Sequence, residues 1–218
     1  MKLRNVMIFG DSYSTYRNHI PEGFATFYAD EPIKPTDVNR VEQTWWHQLF
    51  SYAGANLIQN NSWSGSTICY TGYNGADCSK TSSFIYRLRK LKEEKFFDQN
   101  HIDTVFVFGA TNDSWCGAPT GEPKYGDWKE EDLYCSLPAI SCFLNELKTT
   151  LPDADIVVIL NTNLKKAIVE VFRETCRSLG IRYVELEGID KTGGHPTVLG
   201  MSQIQEQIIK ALEIESQE

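Results

Sequence analysis

Two apolar runs constrain this chain more than anything else in it: Val105-Phe106-Val107-Phe108 and Ile156-Val157-Val158-Ile159-Leu160. Neither alternates with polar residues. A strand with one wet face alternates apolar and polar residues, whereas a strand covered on both faces of a parallel sheet is apolar throughout. Three more strand-like runs, Asn5–Phe9, Asn56–Gln59 and Arg182–Leu186, bring the candidates to five, widely spaced. Between them lie helix-like segments at Thr44–Tyr52, Thr81–Phe97, Asp132–Leu151, Leu164–Leu179 and Val198–Ile214. In the fourth, Ile168, Val171, Phe172 and Cys176 share one face and Gly180 supplies a stop. Alternating strand and helix predict an α/β fold, a three-layer sandwich with right-handed crossovers around a parallel sheet. We find no internal repeat or low-complexity tract, so residues 1–218 are expected to form a single domain.

Composition narrows the possible partners. With 218 residues, 41% of them hydrophobic, the chain can bury a full core without a staple. Its 21 Lys and Arg against 29 Asp and Glu leave a net charge of −8. An acidic body repels phosphate backbones and anionic lipid, which predicts no nucleic-acid and no membrane partner. The one basic run, Arg87 to Lys95, also holds Glu93 and Glu94 and is expected to be the solvated face of a helix. No apolar stretch is long enough to span a bilayer, and Met1-Lys2-Leu3-Arg4 leads straight into a strand with no signal-peptide core. These features predict a cytoplasmic protein. The six cysteines show no CxxC or metal-ligand spacing and are expected to be reduced thiols, mostly buried.

Two long stretches fit no regular element. Tyr13–Asn39 carries Pro21, Pro32 and Pro35 with several aromatics, and Ser114–Trp128 carries Pro119 and Pro123 with Trp115, Tyr125 and Trp128. Both follow strand ends, where ligands bind in open α/β sheets. Four short pieces stand at such ends. Gly10-Asp11-Ser12 follows the first strand; alone it reads as a capped turn. Asn60-Asn61-Ser62-Trp63-Ser64-Gly65 follows the second, where a glycine lets backbone N–H groups approach a bound oxygen; alone it reads as an ordinary polar turn. Gly109-Ala110-Thr111-Asn112-Asp113 follows the third; its Asn can donate to an oxyanion or merely hold an Asx-turn. Of the four histidines, only His195, in Asp190-Lys191-Thr192-Gly193-Gly194-His195-Pro196, combines a strand-end loop with a nearby preceding carboxylate; alone it reads equally as a solvated loop histidine.

In this order, the four pieces resemble the SGNH (GDSL) hydrolase family, over nearly the whole chain. The resemblance implies a flavodoxin-like five-stranded sheet and an esterase or lipase-like serine hydrolase. Ser12 would be the nucleophile and His195 its base, with the backbone N–H groups of Ser12 and Gly65 and the Asn112 amide forming the oxyanion hole. That chemistry needs no metal and no cofactor. The chain departs from the family pattern twice. Gly109-Ala110-Thr111-Asn112-Asp113 has one residue more before the Asn than the family's Gly-x-Asn-Asp. The family's Asp, three residues before the histidine, is replaced by Thr192. Asp190 is the expected orienting carboxylate, brought back by a bend at Gly193-Gly194; the alternative is a dyad with a main-chain carbonyl at the imidazole.

Two other readings compete. A hydroxyl-rich loop of Ser12, Ser14 and Thr15 would suit a flavin- or phosphate-binding module, but leaves Asn112 and His195 unexplained. The irregular Asp190–His195 spacing would suit a catalytically impaired carbohydrate-binding protein of the same fold. For the esterase, a carbohydrate O-acetyl ester is the first expected substrate, with a lipid ester or thioester next. Trp63 and Trp115 are expected near the site.

Overall fold

All five expected strands form, and they pair in parallel in the order β2-β1-β3-β4-β5: β1 (Asn5–Gly10), β2 (Asn56–Ser62), β3 (Thr104–Phe108), β4 (Asp155–Leu160) and β5 (Arg182–Glu185). The structure, a computed structural model, describes residues 1–31 and 35–217; Pro32 of the first long loop lies outside them. The helices are α1 (Trp45–Ala53), α2 (Phe84–Glu93), α3 (Phe96–Gln99), α4 (Thr111–Trp115), α5 (Ser136–Thr150), α6 (Lys166–Leu179) and α7 (Val198–Leu212). Before α7, β6 (Lys191–Thr192) and β7 (His195–Pro196) make a small antiparallel hairpin. Among the described residues no helix is long and apolar enough to cross a membrane.

Successive strand residues serve opposite layers, which explains the missing alternation. Met7, Phe9, Val105, Val107, Ile156 and Val158 share one core with Phe84 of α2, Phe143 of α5 and Phe172 of α6. Val6, Ile8, Phe106, Phe108, Val157 and Ile159 share the other with Trp45 of α1 and Ile204 of α7. From β1 the chain moves to one side to form β2, then crosses back to form β3 on the other side of β1. That reversal opens a crevice at the carboxyl ends of β1 and β3.

Some boundaries differ from expectation for physical reasons. The segment Thr81–Phe97 is not one helix: Lys95 takes the left-handed conformation, φ 57°, and separates α2 from α3. The segment Asp132–Leu151 begins with a 3-10 turn, Glu130–Tyr134, and α5 starts at Ser136, which leaves Pro138 in the first turn. A proline is tolerated there because its missing N–H would have had no intrahelical partner. β2 runs on to Ser62, since Asn60, Asn61 and Ser62 pair with Ile8, Phe9 and Gly10 despite their polarity. Arg87 corrects a larger expectation. It is buried among Phe84, Leu88 and Leu91 rather than solvated.

Candidate active site

The last residue of β1 is a glycine because no side chain fits there: a Cβ at Gly10 would collide with Ser62 Oγ and Ser14 Cβ. Asp11 then caps a single 3-10 turn, Ser12–Ser14, its Oδ1 accepting from the Tyr13 N–H at 3.0 Å. So the turn-capping reading of Asp11 holds, and Ser12 opens that turn. β7 delivers His195 from far along the chain, and Ser12 Oγ and His195 Nε2 stand 3.0 Å apart. His195 Nδ1 lies 3.3 Å from the Gly193 carbonyl oxygen. A carbonyl oxygen only accepts, so Nδ1 carries the proton and Nε2 presents its lone pair to the Ser12 hydroxyl.

Asp190 is not at the imidazole, and the expected carboxylate partner is corrected here. Gly193 and Gly194, at φ 56° and 81°, form the two-residue turn of the β6–β7 hairpin. Its register pairs Thr192 with His195 and Lys191 with Pro196, so Asp190 falls opposite Thr197. The Thr197 hydroxyl donates to the Asp190 carboxylate, and the Thr197 N–H donates to the Asp190 carbonyl at 3.1 Å. Thr197 also caps α7 through the Gly200 N–H. Asp190 belongs to the helix cap.

Aromatic groups hold the imidazole instead. Phe27 stacks on it, with ring centroids 3.8 Å apart and planes 19° apart. The Tyr13 hydroxyl donates to the Gly194 carbonyl, tying the hairpin to the Ser12 turn. Trp115 packs against Gly194. Ser12 and His195 are only 5% and 8% exposed. Burial pushes the imidazole pKa below its ordinary value; the Gly193 carbonyl opposes the shift and the Lys191 ammonium adds to it. Lys191 Nζ donates to Asn161 Oδ1 at 2.9 Å and Thr162 Oγ1 at 2.5 Å, and burial lowers its pKa to about 8.

Across the crevice, Trp63–Ser66 is a turn closed by the Ser66 N–H on the Trp63 carbonyl, with Gly65 at φ 75°. Among the described residues, the Gly65 and Ser12 backbone N–H groups make no protein hydrogen bond. The extra residue before Asn112 is absorbed by Ala110, which takes φ 66° and turns β3 directly into α4. Asn112 then sits in the first turn of α4, its Nδ2 donating to the Ser66 carbonyl at 2.9 Å. Neighbouring Asp113 accepts from the Ile68 and Cys69 N–H groups at 2.9 and 3.1 Å. Asn112 therefore makes a cross-loop contact rather than an Asx-turn.

The structure thus brings Ser12 to His195 and ties Asn112 to Ser66, next to Gly65, at neighbouring strand ends, and leaves Asp190 away from the imidazole. The profile of the GDSL-like lipase/acylhydrolase family matches residues 4–212. The chain belongs to that family. A GDSL-like lipase candidate from Bacteroides ovatus is 42% identical and superposes with a TM-score of 0.88, over 98% of this chain and 99% of that one. A second, from Bacteroides uniformis, is 41% identical with a TM-score of 0.87, over 97% and 96%. A family two carbohydrate esterase from Cellvibrio japonicus, 17% identical, shares the fold at a TM-score of 0.64, over 98% of this chain and 62% of that one. No curated protein matches the sequence. As a GDSL-like hydrolase, the protein is an ester-hydrolysing enzyme.

Several residues around this GDSL-type crevice carried no local signal. Phe27 reaches His195 from the first long loop, and Tyr73 places its hydroxyl 2.9 Å from Asn112 Oδ1. Trp63, expected near the site, packs on Phe24 and lies 5.1 Å from the Arg87 guanidinium. Arg87 itself clamps the strand ends. It donates to the carbonyls of Asn61, Gly10 and Ser82, to Asn61 Oδ1 and to Ser66 Oγ. Among the described residues, no three His, Cys, Asp or Glu side chains cluster as metal ligands would.

Proposed function

We propose that this enzyme is a serine esterase that works through an acyl-enzyme on Ser12, with His195 as a base oriented by a backbone carbonyl. The observation that carries the reading is the Ser12–His195 contact, with the tautomer fixed by Gly193. Ser12 Oγ attacks the ester carbonyl carbon while its proton passes to His195 Nε2. The carbonyl oxygen becomes an oxyanion facing the Ser12 and Gly65 N–H groups and the Asn112 amide. The tetrahedral centre collapses, the ester C–O bond breaks, and His195 returns the proton to the leaving alcohol. Water, deprotonated by the same imidazole, then releases the acid and restores Ser12.

For the substrate we favour an acetylated carbohydrate. Trp115 and Tyr73 stand beside the crevice at 44% and 43% exposure, flat apolar faces of the kind sugar rings stack on. The fold shared with carbohydrate esterases is in keeping with this choice. The test is a panel of short acyl esters, acetylated sugars and acyl thioesters, assayed with wild type and Ser12→Ala, together with fluorophosphonate labelling. Ser12→Ala should abolish hydrolysis and labelling without unfolding the protein. Label on another serine, or an active variant, would overturn the mechanism; a preference for long-chain esters over acetylated sugars would overturn the substrate.

A further inference from the structure

We propose that Tyr73, which lies outside the four motifs, is a positioning residue that holds and polarises the Asn112 amide. The inference rests on the esterase reading above, in which Asn112 donates to the oxyanion. A carboxamide helps there only if its N–H side faces the charge, because its oxygen would repel it. Two contacts set that choice. The Ser66 carbonyl accepts one hydrogen of Asn112 Nδ2 at 2.9 Å, which sends Oδ1 the other way. Oδ1 then meets the Tyr73 hydroxyl, which donates to it at 2.9 Å. One Nδ2 hydrogen is left uncommitted by these contacts.

The two contacts do different work. Ser66 fixes which end of the amide is which, while Tyr73 braces the oxygen and draws electron density towards it. A donor at the carbonyl end of an amide makes its remaining N–H more acidic, by the cooperativity of hydrogen-bond chains. The backbone around Tyr73 suits a brace. Thr71 and Asp77 bridge, the Gly72 N–H donates to the Ala76 carbonyl at 2.8 Å, and Asn74 and Gly75 turn the chain at φ 56° and 72°. The ring is well exposed while its hydroxyl is committed to Asn112. Partial burial pushes the phenol pKa up, so the hydroxyl remains a donor throughout the neutral range.

The experiment is a double-mutant cycle on p-nitrophenyl acetate, with Ser12→Ala as control. Tyr73→Phe keeps the ring and removes only the hydroxyl, so kcat should fall roughly 3- to 10-fold with KM unchanged, the worth of one hydrogen bond. In an Asn112→Ala background the same change should do nothing, because there is no amide left to brace. A merely structural role would lower both backgrounds alike. The inference is overturned if Tyr73→Phe turns over like wild type, changes only KM, or keeps its full effect without Asn112. Hydrolysis surviving in Ser12→Ala would instead bring down the esterase reading itself, so the two failures are distinguishable.

Discussion

The turn that carries Ser12 is backed by a buried guanidinium and buried carboxylates, whereas the loop that carries His195 is held by a carbonyl, a phenol and a stacked ring. Arg87 and Asp11 lie directly beneath the first side, and Asp113 beneath the adjoining Asn112. Burial raises Asp11 to about 7 and lowers Arg87 to about 9, each opposed by the charge of the other. On the histidine side, Nδ1 meets the neutral Gly193 carbonyl. The contrast follows from what each side must do. Strand ends that converge on an oxyanion have to be immobile, and a guanidinium with several acceptors immobilises them. A base has to be uncharged before the reaction, and a carbonyl fixes its tautomer without the strong stabilisation of imidazolium that a carboxylate gives.

Removing the charge from the first side should have the largest effect. Arg87→Met fills much of the same volume but deprives the Asn61, Gly10 and Ser82 carbonyls of their shared donor. It also takes the cation away from Asp11. Breaking one partner out of a buried charged network costs about 3–5 kcal/mol. Urea denaturation should show a loss of that order. A loss below about 1 kcal/mol would mean that the clamp does not hold the strand ends.

The same division governs how much the sequence disclosed. The strands were legible because continuous apolar runs have few other uses, and the crevice followed because Gly10, Gly65 and Asn112 stand at their ends. The charges that follow Arg87 point to a solvated face, and the structure buries it. Its own neighbours, Phe84, Leu88 and Leu91, recur at helical spacing and mark its face as buried. Asp190 is near His195 in sequence but not in space. The correcting signal was Gly193-Gly194 itself, which as a two-residue hairpin turn pairs position 190 with 197 and not with 195. Phe27 and Tyr73 left no such trace. Phe27 lies in an irregular loop and Tyr73 opens a single 3-10 turn, and their contacts with His195 and Asn112 span stretches whose path no periodicity encodes.

A smaller effect sharpens the account of the histidine side. His195 must be neutral to take the Ser12 proton, so activity is lost as pH falls through its pKa. Burial and the Lys191 cation hold that pKa below the ordinary 6.5, which puts the acid limb of kcat/KM below 6.5. Lys191→Met removes a like charge, so the imidazole should protonate more readily and the limb should move up towards neutral. Profiles of kcat/KM against pH for both proteins measure the shift. A wild-type limb above 7, or a downward move in the variant, would contradict this electrostatic account.

The smallest effect on turnover is expected at Asp190, and its smallness is what separates a carbonyl-oriented base from a triad. Where a carboxylate holds the histidine, losing it costs about 10²–10⁴-fold in kcat, because the tautomer or its orientation is lost. Here the tautomer is set by Gly193, and the Asp190 carboxylate is engaged with the Thr197 hydroxyl at the start of α7. Asp190→Ala should therefore leave kcat within about 3-fold of wild type while costing about 1 kcal/mol of stability through the weakened cap. Thr197 would still accept from the Gly200 N–H, so the helix should fray rather than melt. Turnover and urea unfolding measured on the same preparation separate the two effects. A hundredfold loss of kcat at unchanged stability would return Asp190 to the imidazole. A stability loss with near-normal turnover leaves His195 oriented by the Gly193 carbonyl, since no other acidic residue lies in the hairpin that carries it.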